Sequence, residues 1–153
     1  MAEVKKIMVA VDDSECSHHA LQWALSNLHL YGSDVSLVVF HAQPLAVFNS
    51  AATMGVTSPE LIEIIVNQQR QVSEAILARA KEMCAQKNVT VETVSEIGDP
   101  KDGICDAIDK LQVDLLIIGS HGYGMLKRAF LGSVSNYCVL HAKCPVLVTK
   151  KPS

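Results

Sequence analysis

Asp114-Leu-Leu-Ile-Ile-Gly119-Ser-His-Gly122, followed after nine residues by Gly132-Ser133, is the stretch on which the fold turns. Four consecutive apolar residues between an acid and a glycine read as a strand buried on both faces, as in the middle of a parallel sheet. The glycines after it stand where a strand hands over to a helix. Glycine permits φ > 0 and lets the main chain approach a ligand with no Cβ in the way. A helix opening at Ser133 would aim its free N–H groups and positive dipole end at the same point. Each glycine taken singly could be an ordinary turn residue; the set together describes a crossing able to wrap a polyphosphate.

Working outward, the same strand-then-helix rhythm recurs. Ile7-Met-Val-Ala-Val11 is a short apolar run ending at Asp12-Asp13-Ser14, a strand meeting a helix cap. Leu21, Ala24, Leu25 and Leu28 then repeat at helical spacing, and Gly32 marks the end. Val35-Ser-Leu-Val-Val-Phe-His41 predicts a second strand, followed by a long connection over 42–57. Ser58-Pro59-Glu60 offers an N-cap, a first-turn proline and a first-turn acid. The helix it opens carries Leu61, Ile65, Val72, Ile76, Ala80 and Met83 near one face. Val89-Thr-Val-Glu-Thr-Val-Ser95 alternates with period two, the pattern of a half-exposed edge strand. Asp99-Pro100 starts a third helix with Ile104, Ala107, Ile108 and Leu111 as its stripe; 133–141 is a fourth, and Pro145-Val-Leu-Val-Thr149 a last strand. Five strands alternating with four helices predict an α/β fold, a three-layer sandwich around a five-stranded parallel sheet, as one domain over residues 1–153.

Composition agrees and excludes several functions. Residues are 49% hydrophobic but only 5% aromatic, so the core must be built from Val, Ile, Leu and Ala. The net charge is −3 with the cations dispersed, which argues against a nucleic-acid surface. The cysteines, Cys16, Cys84, Cys105, Cys138 and Cys144, are odd in number and form no Cys-x-x-Cys pair, which reads as reduced intracellular usage. Cys16, Cys105 and Cys138 read as small core residues, with no base adjacent in sequence. Six histidines show no metal-ligand spacing within one element, so no protein-held metal is expected. No apolar stretch approaches a membrane span and the N-terminus carries no signal-peptide core, predicting a cytoplasmic location with a nuclear share left open.

In open α/β sheets ligands sit beyond the carboxyl ends of strands. Here those places are Asp12 and Gly119. Neither a Gly-x-Gly-x-x-Gly turn after the first strand nor a Walker A loop is present. The pattern present, Gly119-x2-Gly122-x9-Gly132-Ser133, resembles the signature of the nucleotide-binding universal stress proteins. The element order is similar to that family from residue 5 to 149, and the single-domain form resembles its plant members. The resemblance implies a Rossmann-like fold of the adenine nucleotide alpha hydrolase kind, strand order 3-2-1-4-5. It also implies binding of ATP, or of ADP or AMP, with Mg²⁺. It assigns Asp12 to a hydrogen bond with the nucleotide, Ala10 and Val11 to the adenosine side, and Ala42 to a backbone contact with adenine. Ile118 and Gly119 fall against the ribose, with Gly122, Gly132, Ser133, Val134 and Ser135 on the phosphates. Ala10 and Val11 replace the Pro-Thr sometimes found there. It implies, too, a homodimer through the last strand, 145–149.

Other readings of these residues stay open at this point. Asp12 could cap the first helix or touch a ligand, and Ser133 could be an N-cap while also holding phosphate. The hydroxyls of Ser133 and Ser135 could add hydrogen bonds to an anion. His121 has no partner carboxylate near it in sequence and reads as chemically inert. Lys127 and Arg128 are the cations of the glycine loop, while Met125, Leu126, Phe130 and Leu131 are apolar enough to pack on the core or a partner. Rapid phosphoryl transfer needs a fixed lysine and metal-binding acids that this chain does not specify. The expected function is therefore a nucleotide-dependent stress-response or signalling module whose 120–132 loop responds to ATP, with unknown protein partners. A slow ATPase, or a chaperone-like protein with a vestigial pocket, is the alternative.

Overall fold

The computed structural model describes residues 3–43, 53–55, 58–121 and 131–152. Its five strands are β1 (Lys6–Ala10), β2 (Ser36–Gln43), β3 (Val91–Ile97), β4 (Leu115–Gly119) and β5 (Val146–Thr149). They form one parallel sheet in the order β3-β2-β1-β4-β5, as expected. The four longer helices are α1 (Glu15–Asn27), α2 (Pro59–Gln86), α3 (Pro100–Leu111) and α4 (Ser133–His141).

Alternation along the strands divides the core into two layers. Ile7, Val9, Leu37, Val39, Leu115 and Ile117 face α1 and α2, where Ala20, Leu21, Ala24, Ala80 and Cys84 meet them. Met8, Val38, Phe40, Leu116 and Ile118 face α3 and α4, against Ile104, Ala107, Ile108 and Cys138. Every residue of β4 is buried, whereas β3 alternates between half-buried and exposed positions at the sheet edge. Asp114 joins the two central strands: one carboxylate oxygen accepts from the Lys5 and Lys6 amides, both at 2.9 Å.

Several local expectations shift. Helix α1 ends at Asn27, and a 3-10 turn (Leu28–Tyr31) carries the chain to Gly32, whose φ of 112° closes it. Ala42, expected in the connection, belongs to β2. Ser58 occupies the cap position of α2, but its hydroxyl donates to the Glu60 carboxylate at 2.7 Å rather than capping the backbone. That bond holds the Glu60 carboxyl below its ordinary range. The apolar stripe on α2 is only partly inward: Ser73, Ala80 and Cys84 are its buried residues, while Leu61 and Val72 are about half exposed. Leu61 lies in the first turn of this 28-residue helix, and Val72 faces a cavity at the carboxyl ends of the strands. Asp99 does cap α3 as expected, accepting from the Lys101 amide at 3.1 Å.

Candidate functional site

The strand order reverses between β1 and β4, and there the chain leaves β1 for a helix on one face and β4 for a helix on the other. Among the described residues the space between the two exits is open, a crevice at the carboxyl ends of the strands. It is a cavity of about 440 Å³.

At the β1 exit the turn is tied down by its own polar groups. Asp12 Oδ1 accepts from the Ser14 amide at 2.8 Å, and Ser14 Oγ accepts from the Ser17 amide at 3.1 Å as the N-cap of α1. Ser17 Oγ accepts from the Asp12 amide at 2.9 Å and donates to the Asp12 carbonyl at 3.1 Å. Asp12 thus shapes the turn through one oxygen while lining the cavity.

At the β4 exit a single carbonyl organises the crossing. Ser120 O accepts from the Gly132 amide at 2.6 Å and from the Ser135 hydroxyl at 2.7 Å, so the chain returns to α4 where it left β4. Gly132, not Ser133, is the cap residue of α4, with Ser133 the first helical residue. The first bond inside the helix runs from the Asn136 amide to Gly132 O. The amides of Ser133, Val134 and Ser135 precede that bond and are the N-terminal donors of the helix, which take partners from outside it. The Ser135 hydroxyl is committed to Ser120 O, so it offers the cavity its backbone N–H rather than its side chain.

Close approach of chain to chain is why glycine stands at 119 and 132. Gly132 has a φ of −65°, which any residue adopts. A Cβ at Gly119, however, would lie 2.8 Å from the Cys16 carbonyl oxygen, and one at Gly132 would lie 3.0 Å from His121 Cα. Both glycines let the elements around the cavity pack against each other.

The floor and the α2 side add residues that strand-end reasoning did not collect: Phe40, His41, Gln69 and Ile104 also line the cavity. His41 is buried, its Nδ1 2.9 Å from Val11 O and its Nε2 3.1 Å from Ser73 Oγ. A carbonyl only accepts, so Nδ1–H donates to Val11 O and Nε2 can take the Ser73 hydroxyl proton. One imidazole thus joins β1, β2 and α2. The sequence signal was a polar residue closing an otherwise apolar run.

Of the residues assigned by resemblance, Ala10, Val11, Asp12, Ala42, Ile118, Gly119, Gly132, Ser133, Val134 and Ser135 line this one cavity. Gly122 lies outside the described residues, as do Met125, Leu126, Lys127, Arg128 and Phe130. Among the described lining residues there are two carboxylates, Asp12 and Asp13, and no Lys or Arg. No group of three or more potential metal ligands occurs among the described residues, and none of their helices is long and apolar enough to cross a membrane.

A doubly wound sheet with a partly apolar cavity and a helix N-terminus at its point of reversal places the chain among the Rossmann-like α/β domains. Comparison with known proteins narrows that class. The model of the universal stress protein family matches residues 3–150, and the chain belongs to this family. It is 34% identical to universal stress protein YxiE of Bacillus subtilis, over 95% of this chain and 98% of that one. Identity to a universal stress protein A-like protein of Arabidopsis thaliana is 29%, over 98% and 92% of the two chains. Among solved structures, an Arabidopsis thaliana universal stress protein with AMP bound superposes with a TM-score of 0.70 at 26% identity, covering 97% of this chain and 93% of that one.

Proposed function

We propose that the cavity binds an adenine nucleotide, with ATP and Mg²⁺ as the working ligand, and that the protein is a nucleotide-dependent stress-response module. The observation that carries this is convergence: ten residues assigned from motif positions on β1, β2, β4 and α4 line one cavity of about 440 Å³. The AMP bound to the Arabidopsis relative supports the same reading. The residues fit such a ligand. Ala10, Phe40, Ile104 and Ile118 supply apolar walls for a base, and the N-terminal amides of 133–135 supply donors for phosphate. The described lining residues carry two carboxylates, Asp12 and Asp13, beside which a cation would favour phosphate. Mg²⁺ held by phosphate oxygens and one carboxylate supplies that charge without a protein cage.

Binding in this reading lowers amide exchange over 120–132 and so changes the surface offered to a protein partner. The module works as a cytoplasmic homodimer joined through 145–149, where β5 is an edge strand with Val139 and Leu140 exposed on the neighbouring α4. Titration calorimetry of nucleotide-stripped protein with Mg-ATP tests the reading. Saturable heat near one ATP per chain is expected. No heat at tens of micromolar protein, repeated at a second temperature, overturns it. Phosphate release above background in the same sample would move the reading to a slow ATPase.

A further inference from the structure

His121, inert by its sequence neighbours, acquires two partners in the fold. Its Nε2 lies 3.4 Å from Cys16 Sγ in the first turn of α1, and its Nδ1 lies 3.1 Å from Ser120 Oγ. One proton arrangement satisfies both contacts: Nδ1–H donates to the Ser120 hydroxyl, and Nε2 accepts from the Cys16 thiol. That is a nucleophile, a base and an orienting group in series.

A separate observation points at the same place. Thr149 is only 5% exposed, and its hydroxyl has no hydrogen-bond partner among the described residues. Thr149 pairs with Gly119, and Ile117 and Leu147, two pairs earlier in the same ladder and so on the same face, both pack on the α1 side. Paired residues of a parallel ladder share a face, so Thr149 projects toward α1 as well. The turn of α1 lying over that position is the one at Cys16, whose carbonyl oxygen is 2.8 Å from where a Gly119 Cβ would stand. A buried hydroxyl left unpaired is unfavourable, and this one lies on the side of the sheet that α1 covers, where an oxygen added at Cys16 would offer it a partner.

We propose that Cys16 is an oxidation-sensing site: a peroxide converts its thiol to a sulfenic acid, with His121 taking the thiol proton and the Thr149 hydroxyl facing the added oxygen. In the step, Nε2 accepts the proton as sulfur attacks one peroxide oxygen. The S–O bond forms while the O–O bond breaks, and the departing hydroxide leaves as water with the proton from the imidazolium. Sulfur is oxidised by two electrons and the peroxide reduced by two. Cys16 is itself buried, at 7% exposure, and what sets it apart is the imidazole 3.4 Å from its sulfur; the remaining cysteines serve as internal controls in the same chain. The proposal stands apart from the nucleotide reading, since it requires no ligand in the cavity.

The full chain is treated with hydrogen peroxide in the presence of dimedone, and each cysteine peptide is quantified by mass spectrometry over time. Cys16 is expected to label at least about tenfold faster than any of the other four. His121→Asn, which keeps a polar side chain but no base, is expected to slow Cys16 labelling by about tenfold or more. In the near-isosteric Thr149→Val, sulfenic acid at Cys16 accumulates less and sulfinic acid more. Cys16 labelling no faster than the buried Cys138 in the wild-type chain overturns the proposal without reference to any variant. Unchanged Cys16 labelling in folded His121→Asn overturns it equally.

Discussion

Alanine at position 119 adds one methyl group where the structure has no room for it. The new Cβ would sit 2.8 Å from Cys16 O, 2.9 Å from Cys16 C and 3.1 Å from Cys16 Cβ. Ordinary carbon contacts run near 3.5–4.0 Å, so α1 or β4 must move by about half an ångström or more. Two of the three atoms are backbone, and they belong to a turn already fixed by Ser14, Ser17 and Asp12. Overpacking of this kind costs about 1–3 kcal/mol, and the upper part of that range, about 2–3 kcal/mol, is expected because no flexible side chain can yield. With a urea m-value of about 2 kcal/mol/M, the unfolding midpoint falls by roughly 1–1.5 M. Gly103→Ala is the matched control. Its Cβ meets only the Phe40 ring, at 3.4 Å, inside α3. Helix propensity then dominates and the protein gains about 0.5–1 kcal/mol. Urea denaturation at one fixed protein concentration, followed by circular dichroism, reads both variants. A Gly119→Ala midpoint within experimental error of wild type would refute the packing account of that glycine.

Three further outcomes follow from single contacts. Ser73→Ala leaves His41 Nε2 buried without its partner and should cost about 1–3 kcal/mol in the same assay; a neutral result would remove the bridge as a stabilising feature. Gln112 ends α3 in the left-handed region at φ 56° and ψ 53°, so Gln112→Gly is expected to raise stability by about 0.5–1 kcal/mol despite losing an exposed side-chain bond to Asp109 O, and any loss would contradict it. The Cys138 thiol is raised from 9.0 to about 12 by burial. Between those values the unfolded chain has released the proton and the folded chain has not, so stability falls as pH rises through that window. Cys138→Ala should flatten the decline by up to about 1.4 kcal/mol per pH unit, measured as the difference in slope between variant and wild type, and parallel slopes would exclude the effect.

What the sequence determined by itself is everything that depends on local chemistry or on period. The unbroken Leu115 to Ile118 run and the alternating third strand identify a central and an edge strand, because burial on two faces or on one writes a different pattern. Asp99 before Pro100, and α4 over Ser133–His141, were legible for the same reason: a cap and a first-turn proline act within four residues. That ten residues taken from strand ends and a glycine spacing line one cavity was legible in part, since strand ends and spacings are sequence features. Only the tertiary structure decided what depends on distant segments meeting. It showed that Gly119 answers to Cys16, 103 residues away, and Gly132 to His121, rather than to a need for positive φ. It showed that Leu61 and Val72 stay half exposed on α2, Val72 because it faces the cavity, which no helical period reveals because period says nothing of what lies opposite the stripe. And it placed an imidazole beside a thiol 105 residues apart, and a hydroxyl without a partner on the same side of the sheet, where each residue read within its own segment looked like filler.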